Sequence, residues 1–509
     1  MTTSDTATPA RLATRREWLG LIAIAVPCMI YSMDLTVLNL ALPTLTRELR
    51  PSAGQLLWIV DIYGFMVAGF LITMGTLGDR IGRRRLLLIG AAAFGLASIV
   101  AAFSDSAEML IVMRALLGVA GATLAPSTLS LITVMFEDET ERTFAISMWI
   151  ASFSAGAVIG PVVGGVLIEY FWWGSVFLVA VPPMLLLMAI GPLLLPEYKA
   201  PRAGRIDLPS ALLSLAAILP AVYGIKHWAE HGVSLAGAAF VLVGAGFAFI
   251  FIRRQKTLAD PMVDLALFRI SAFRAALAIN LTGIMVMFGS FVFLAQYFQL
   301  VAGLSPIEAG LWSLPSALAF TLASFAVTPL ATRMKPSRLM SAGMVVSALG
   351  FVWLALAPSL VQIVAASIVF SVGFTPVIAL TTGIVVGSAP PERTGVASAL
   401  SETSAELGGA LGIAVLGSLG TALYRARMSD VAVSGLDPAV LEPARATLGG
   451  ALAAAERLTP EQSAPLLAAA RDAFMTGFHA VAAVAIAGMV VCIVIALTVL
   501  RDAKASGGH

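Results

Sequence analysis

The chain has 509 residues and a formal net charge of +2; 59% of its residues are hydrophobic and only 12% are charged. A soluble domain carries roughly 25% charged residues, so this composition excludes a soluble protein and indicates an integral membrane protein. Apolar runs recur along almost the entire sequence, which leaves no room for a separate soluble domain. The two cysteines, Cys28 and Cys492, lie within apolar runs, and the four histidines are scattered. We therefore expect no disulfide, metal site or cofactor.

Membrane-spanning helices are predicted from the first apolar run onward. Residues 1–17 are polar, and the apolar run after them is longer than the core of a cleavable signal peptide, so we expect a retained helix. A bilayer core of roughly 30 Å requires about 20 apolar residues per helix. By this criterion the sequence predicts an all-α integral membrane fold with fourteen spans, at residues 18–43, 55–76, 86–104, 108–135, 143–168, 174–195, 208–226, 234–252, 272–300, 306–331, 338–357, 360–387, 392–423 and 474–500.

The distribution of lysine and arginine predicts the orientation of these spans. Cytoplasmic segments retain an excess of positive charge. If the N-terminus is cytoplasmic, 22 of the 31 basic residues fall in cytoplasmic segments, and five of the others lie in one long outer loop, 424–473. We therefore predict a multi-pass protein of the bacterial inner membrane with both termini in the cytoplasm.

Two pairs of similar segments indicate an internal repeat. Residues 77–86 (LGDRIGRRRL) align with 330–339 (LATRMKPSRL), and residues 141–143 (ERT) align with 392–394. The offsets are nearly equal, and Gly160 then aligns with Gly412 after a one-residue slip. Two six-helix halves facing each other across a central site are typical of alternating-access carriers. The predicted organisation is a tail at 1–17, a six-helix half at 18–200, two inserted helices at 201–256, a second half at 257–500 with the outer loop 424–473, and a tail at 501–509.

Sequence motifs distributed along the whole chain identify a family. They are residues 34–43 (DLTVLNLALP), 58–63 (WIVDIY), 75–85 (GTLGDRIGRRR), 114–118 (RALLG), 156–165 (GAVIGPVVGG) and 401–407 (SETSAEL). With these motifs the chain resembles the major facilitator superfamily, and within it the fourteen-span drug:proton antiporters of the QacA, LfrA and SmvA type (the EmrB/QacA subfamily). The resemblance implies the major facilitator fold and proton-coupled multidrug efflux. The motif at 156–165 is associated in this superfamily with antiport and export rather than uptake.

Five ionisable residues stand out among those within the predicted spans, where a charged side chain is costly and marks a functional site by default. Asp34 and Asp61 fall in the outer half of the bilayer, whereas Glu402 and Glu406 share one face of the thirteenth span because they are four residues apart. We expect these four carboxylates to bind protons and the cationic substrate. Arg114 is expected to tune the proton affinity of a nearby carboxylate. The alternative is that each is a structural partner of Ser, Thr, Arg or backbone carbonyl groups.

Desolvation gives these carboxylates a route to proton coupling. Burial disfavours the ionised form of a carboxyl group, whereas a neighbouring cation favours it. Proton and cationic substrate therefore compete for the same group, which is the simplest form of antiport. The inward proton gradient supplies roughly 2.3 kcal/mol per charge per 100 mV, in addition to the contribution of the pH difference.

Three further groups of residues complete the predicted site. A gating loop follows the second span, in which Asp79 pairs with an arginine or a helix end in one conformation; its residues are Gly78, Asp79, Arg80, Gly82 and Arg83. A small-residue face lets another helix approach closely; it comprises Gly156, Gly160, Pro161, Gly164 and Gly165. Aromatic rings able to face a cation are expected in the substrate cavity; they are Tyr31, Trp58, Tyr63, Trp149 and Phe153.

The predicted function is export of lipophilic cations, such as quaternary ammonium compounds, dyes, antiseptics or antibiotics, by a monomer without nucleic-acid partners. A dedicated exporter of one antibiotic or metabolite is the alternative within transport. A membrane-embedded enzyme is disfavoured because the sequence contains no Ser-His-Asp, metal-ligand or phosphate-binding arrangement. A channel or sensor is disfavoured by the duplicated halves with buried carboxylates. The outer loop 424–473 is either a short helical pair over the outer mouth or a disordered linker, and its hydrophobicity favours helices.

Overall fold

The chain folds into a bundle of membrane-length helices. The computed structural model describes residues 12–199, 207–258, 261–331, 333–389, 394–429 and 438–501. These residues form helices and no strand, and they include 14 helical spans long and apolar enough to cross a membrane. The predicted number of spans is therefore confirmed. Most of the predicted N-terminal tail, nearly all of the C-terminal tail and the repeat residues 392–393 lie outside the described ranges.

The helices of the first half precede a two-helix insertion. The first half consists of α1 (Arg15–Leu49), α2 (Ala53–Ile81), α3 (Arg83–Ala102), α4 (Ala107–Gly121), α5 (Leu124–Met135), α6 (Glu139–Tyr170), α7 (Ser175–Leu178) and α8 (Val181–Leu194). The insertion consists of α9 (Leu208–His231) and α10 (Leu235–Thr257). α4 and α5 together form one span, as do α7 and α8.

The second half follows a short 3₁₀ turn, Leu267–Arg269. It consists of α11 (Ser271–Gln296) with a π-helical extension (Tyr297–Val301), α12 (Pro306–Ala331), α13 (Pro336–Leu356), α14 (Leu360–Gly387), α15 (Thr394–Ser429), α16 (Pro438–Ala446), α17 (Leu448–Ala455) and α18 (Pro460–Thr498).

Helix starts are defined by capping residues. Thr14 caps α1 in a reciprocal capping box with Glu17, and Ser52 caps α2 in the same way with Gln55. Each box satisfies backbone N–H groups that have no partner within the helix. At the other end of α1, Arg50 adopts a left-handed conformation with φ 46°, which terminates the helix. α1 therefore extends six residues beyond the predicted end of the first span at residue 43.

The two halves repeat the same helix packing. α1 packs on α6 and α2 on α4, and in the second half α11 packs on α15 and α12 on α14. In both halves a glycine allows the first of these helix pairs to approach closely: a Cβ on Gly156 would overlap the carbonyl oxygen of Met29, and a Cβ on Gly412 would overlap that of Met285. Gly412 thus corresponds in packing to Gly156, and its predicted alignment with Gly160 is wrong by one helical turn.

The two ends of the bundle are distinguishable. Because the number of spans is even, α1 begins and α18 ends at the same end, here called the terminal end; the opposite end is called the loop end. At the terminal end Arg16 Nη2 donates to the carbonyl oxygen of Leu193 at 2.7 Å. At the loop end two contacts join the halves: Gln299 Nε2 donates to the carbonyl oxygen of Leu40 at 2.9 Å, and the backbone N–H of Ile307 donates to Glu169 at 3.2 Å.

The region predicted as the outer loop 424–473 is largely helical. α15 extends to Ser429 and α18 begins at Pro460 rather than at residue 474. The two short helices between them, α16 and α17, confirm the predicted helical pair, and residues 430–437 lie outside the described ranges. α17 packs on α1 and α18 at the loop end. The hydroxyl of Tyr424 donates to the carbonyl oxygen of Ala444 at 2.7 Å, which attaches α16 to the end of α15.

The inserted helices differ in their surroundings. α9 packs on α10, on α2 and on α15, so it contacts both halves. α10 is mostly exposed and presents Phe240, Leu242, Phe249 and Ile250 outward, as a lipid-facing helix does. The predicted seventh span ends at residue 226, but α9 continues to His231, and Lys226 is therefore a buried residue within the helix.

Candidate functional site

A cavity of about 530 Å³ opens between the two halves at the terminal end. Its walls are formed by α2, α5, α6 and α15, together with the segments that precede α9 and follow α10. Charged side chains line it from the mouth inward, and the lining includes Asp79, Arg83, Asp207, Trp149 and Glu402. Among the described residues, hydrogen bonds join the halves at the loop end, and this large cavity opens at the terminal end.

Glu402 is the predicted carboxylate that faces this cavity. It lies on α15, its side chain is exposed, and it makes no hydrogen bond or ion pair with any described residue. Trp149, which also lines the cavity, is fixed by a hydrogen bond from its Nε1 to Thr128 at 3.0 Å. The cavity therefore contains a carboxyl group with no ion-pair partner among the described residues and a rigid aromatic ring, both of which suit an organic cation.

Glu406 lies one turn further along α15 and connects the two halves. The hydroxyl of Tyr31, on α1, donates to Glu406 Oε1 at 2.7 Å. Tyr31 packs edge-on against Phe153 at 5.9 Å, and Phe153 packs edge-on against Trp149 at 4.8 Å. A row of aromatic rings thus extends from the cavity wall to Glu406.

Asp34 and Arg114 form a buried ion pair within the first half. Arg114 Nη1 lies 2.6 Å from Asp34 Oδ2, with side chains 1% and 11% exposed. Arg114 Nε also donates to the carbonyl oxygen of Ile59 at 3.1 Å, and the guanidinium lies 4.7 Å from the centre of the Tyr63 ring. The carboxylate that Arg114 contacts is thus Asp34, and its role in tuning proton affinity stays a prediction.

Asp61 is paired with a residue that sequence analysis missed. Lys226 Nζ, on α9, lies 2.8 Å from Asp61 Oδ2, with side chains 2% and 0% exposed. The same ammonium group lies 3.8 Å from the centre of the Trp58 ring. Asp61 and Trp58 therefore surround an internal cation and do not line the cavity in this conformation. The available signal was a lysine inside an apolar run. Because the predicted span ends at residue 226, Lys226 was expected at the membrane edge rather than inside the bundle.

Tyr63 also lies away from the cavity. It is fully buried, on α2, between Arg114 and Tyr31, whose ring centre is 6.0 Å from that of Tyr63. Of the five predicted cavity aromatics, only Trp149 lines the cavity wall itself.

The gating loop between α2 and α3 is held by salt bridges at the terminal end. Arg83 Nη2 lies 2.6 Å from Asp79 Oδ1, and both residues line the cavity mouth. Gly82 has φ 116°, a conformation that favours glycine, and a Cβ there would overlap the carboxylate of Glu197. Glu197 accepts a hydrogen bond from the backbone N–H of Arg84 at 3.2 Å. Glu197 follows α8 and carries no motif signature, so nothing in the sequence predicted its role in this loop.

The other residues of the gating loop differ in their exposure to solvent. Gly78 is buried, and a Cβ there would lie 3.0 Å from Cδ of Arg83. Arg80 is exposed. The predicted pairing of Asp79 with an arginine is present in this conformation, within the loop.

The small-residue face of α6 contacts two helices. A Cβ on Gly164 would lie 2.8 Å from a methyl group of Val37 on α1, and one on Gly165 would lie 2.6 Å from the carbonyl oxygen of Pro306 on α12. The carbonyl of Pro161 contacts Gly310 on α12, and Gly160 is buried on the same helix. This face therefore packs against both halves, as its small residues predict.

A polar network joins the terminal ends of the inserted helices. Arg254 Nη2, on α10, lies 2.8 Å from Asp207 Oδ1, and Ser210 also hydrogen-bonds Asp207. Burial by itself would raise the pKa of Asp207, but the hydrogen bonds from Ser210 and Arg254 lower it below its usual value. Asp207 is therefore ionised at neutral pH and faces the cavity mouth as a carboxylate.

Comparison with known proteins agrees with this architecture. Residues 25–413 match the family model of the Major Facilitator Superfamily. The multidrug efflux pump LfrA of Mycolicibacterium smegmatis is 43% identical over 487 residues, which cover 95% of each chain. The methyl viologen resistance protein SmvA of Salmonella typhimurium is 37% identical over 472 residues, covering 92% of this chain and 94% of SmvA.

Solved structures share the fold at low sequence identity. A bacterial homologue of the human lysosomal transporter Spinster superposes with a TM-score of 0.66 at 17% identity, covering 97% of this chain and all of that one. A peptide transporter of the POT type superposes with a TM-score of 0.63 at 18% identity, covering 95% and 96%. The fourteen spans, the motifs and these relatives lead to one assignment: the chain belongs to the Major Facilitator Superfamily, within its drug:proton antiporters.

Proposed function

We propose that this protein is a proton-coupled multidrug efflux antiporter that exports lipophilic cationic compounds across the bacterial inner membrane by alternating access. The observation that carries the proposal is Glu402, a carboxylate exposed in a cavity between the two halves and without a counter-charge among the described residues. The relatives LfrA and SmvA are named for multidrug efflux and methyl viologen resistance, and methyl viologen is an organic dication.

The orientation of the cavity follows from the basic residues. The terminal end carries the arginines of the gating loop and of the first turn of α1, and positive charge marks the cytoplasmic side. With both termini in the cytoplasm, the cavity opens inward and the loop end faces outward. The conformation described here would then be the one that loads substrate from the cytoplasm or the inner leaflet.

Substrate binding is assigned to the cavity wall. A lipophilic cation entering from the terminal end meets Glu402 as an electrostatic partner and Trp149 as an aromatic surface. Cation–π contact contributes about 0.5–1 kcal/mol at exposed sites and about 2 kcal/mol when desolvated. Neither interaction demands a particular substrate shape, which is consistent with export of several compounds.

Proton binding is assigned to Glu406 and Asp34. Glu406 accepts a hydrogen bond from Tyr31 across the interface between the halves, and Asp34 forms an ion pair with Arg114. Protonation of either carboxylate therefore changes a contact that links neighbouring helices. A substrate cation near Glu402 and Glu406 favours their ionised forms, and a proton favours release of the cation. Glu402 and Glu406 are one turn apart and titrate jointly, so the exchange of proton for cation is a property of the pair rather than of either residue.

The gating loop supplies the conformational switch in this scheme. In the present conformation Asp79 is held by Arg83 at the cavity mouth. Closing the mouth brings the second half against this loop, and Asp79 then exchanges its partner for a helix end or a basic residue there. The proton gradient is the energy source, and no cofactor is required by the scheme.

Export of a single antibiotic is the less favoured alternative. Relatives named for one compound, the tetracenomycin C exporter of Streptomyces glaucescens and the puromycin resistance protein of Streptomyces alboniger, are each 31% identical to this chain. LfrA and SmvA are more similar, at 43% and 37%.

Dye transport in everted membrane vesicles tests the proposal. Vesicles energised by respiration should accumulate the cationic dye ethidium in the lumen, and a protonophore should abolish this accumulation. Vesicles from cells that express Glu402→Gln at the same level are the matched control and should accumulate little dye. Uptake that is unaffected by the protonophore, or equal in Glu402→Gln, would refute the mechanism.

A further inference from the structure

Alternating access moves the two halves relative to each other, and the inserted helices contact both. α2 of the first half and α15 of the second half pack on each other across the interface between the halves. α9 packs on both of them. When the halves rock, α2 and α15 move relative to each other, so α9 must remain attached to one and slide against the other.

The contact of α9 with α2 is made by a buried ion pair. Lys226 lies 2.8 Å from Asp61, both side chains are at most 2% exposed, and the ring of Trp58 covers the ammonium group at 3.8 Å. Separating two charges that are both shielded from solvent leaves each of them uncompensated, which is strongly unfavourable inside a membrane protein. The contact also includes close packing, because a Cβ on Gly69 would lie 2.6 Å from Leu215.

The contact of α9 with α15 has a different character. It is apolar: Val222 of α9 lies in a small buried cluster with Ala410 and Ala414 of α15, and Phe65 of α2 completes the cluster. Contacts between apolar side chains are non-directional. When one helix slides along the other, one apolar contact therefore replaces another. Such an interface can slide without leaving a charge or a hydrogen-bonding group uncompensated.

We infer that the inserted pair α9–α10 moves as part of the first half. Lys226 is the positioning residue that attaches the pair, through its ion pair with Asp61. Asp61 therefore serves this attachment rather than proton exchange. The pair of helices remains a unit because Arg254 and Asp207 join their terminal ends at 2.8 Å. This inference rests on the proposed alternating-access function, and it removes Asp61 from the four predicted coupling carboxylates.

Reversible cross-linking distinguishes the two possible attachments. In a protein with Cys28→Ala and Cys492→Ala, one variant carries Gly69→Cys with Leu215→Cys, which links α9 to α2. The other carries Val222→Cys with Ala410→Cys, which links α9 to α15. Oxidation should leave ethidium transport unchanged in the first variant and reduce it to background in the second, and a reductant should restore it.

Each other outcome contradicts the inference. The opposite pattern would attach α9 to the second half, loss in both variants would mean that α9 moves independently, and retention in both would mean that this interface does not move. If neither variant transports dye before oxidation although the cysteine-free parent does, spin–spin distances between the same positions, measured in purified protein at acidic and alkaline pH, give the same comparison. Absence of transport in the parent would instead refute the proposed function.

Charge removal tests the role of Asp61 separately. Lys226→Met alone should lower the melting temperature and dye transport, because Asp61 remains buried without its partner. The double variant Asp61→Asn with Lys226→Met should regain most of both, with its dependence of transport on external pH unchanged. A double variant that folds as stably as the parent but has lost coupling to the proton gradient would show that Asp61 exchanges protons, and would overturn the inference.

Discussion

The hydroxyl of Tyr31 donates a 2.7 Å hydrogen bond to the carboxylate of Glu406, and this bond joins α1 of the first half to α15 of the second. Its acceptor is the carboxylate that the sequence motif marks for proton exchange. Protonation of Glu406 removes a charge that strengthens this bond, since charge-assisted hydrogen bonds are roughly twice as strong as neutral ones. The contact between the halves is thus sensitive to the protonation state of Glu406.

Glu406→Gln is expected to abolish proton-driven efflux while preserving dye exchange in the absence of a gradient. Glutamine retains an acceptor for Tyr31, so the contact between the halves persists, but the side chain no longer ionises. Vesicles loaded with unlabelled dye and diluted into labelled dye measure exchange, and respiration-dependent accumulation measures coupling. Tyr31→Phe is the matched control, because it removes the bond and keeps the carboxyl group; it should slow both processes without uncoupling them. Full accumulation in Glu406→Gln would contradict the assignment.

Glu402→Gln is expected to weaken binding of cationic dyes by about 10- to 150-fold, because a hydrogen bond to a charged group contributes about 1.5–3 kcal/mol. Binding is measured by fluorescence polarisation on the purified protein. A neutral lipophilic ligand of similar size should bind with unchanged affinity, since its contact with Trp149 does not depend on the charge of Glu402. Equal weakening for neutral and cationic ligands would assign Glu402 a structural role.

Asp34→Asn is expected to reduce both stability and efflux, because Arg114 is 1% exposed and loses its partner. Removing one member of a buried pair costs about 3–5 kcal/mol. Asp34→Asn with Arg114→Met should recover the melting temperature but not efflux. Recovery of efflux in this double variant would show that Asp34 acts only as a structural partner of Arg114.

Gly156→Ala is expected to destabilise the first half, because the added methyl group overlaps the carbonyl oxygen of Met29. Overpacking of this kind costs about 1–3 kcal/mol. Gly412→Ala should have a similar effect through Met285, whereas Gly246→Ala on α10 should not destabilise the protein, since nothing lies within 4 Å of its Cβ position and alanine favours a helix. Melting temperatures of the three purified variants provide the comparison. Equal stability of Gly156→Ala and Gly246→Ala would contradict the close packing of α1 and α6.

Properties that depend on one helix at a time were predictable from the sequence. The fourteen spans follow from apolar run length, and the shared face of Glu402 and Glu406 follows from the helical period. The small residues at 156–165 likewise indicated close helix approach. Each of these depends only on composition and spacing along the chain.

Pairing between distant residues was decided by the tertiary structure alone. Lys226 and Asp61 are 165 positions apart, Tyr31 and Glu406 are 375 apart, and no spacing rule connects them. In a membrane the cost of an unpaired charge forces each ionisable group to find a partner or water, but which partner it finds depends on how the helices pack. The sequence by itself therefore determined which residues needed a partner, and only the assembled bundle decided that Asp61 has a lysine, Asp34 an arginine, Glu406 a tyrosine, and Glu402 the open cavity.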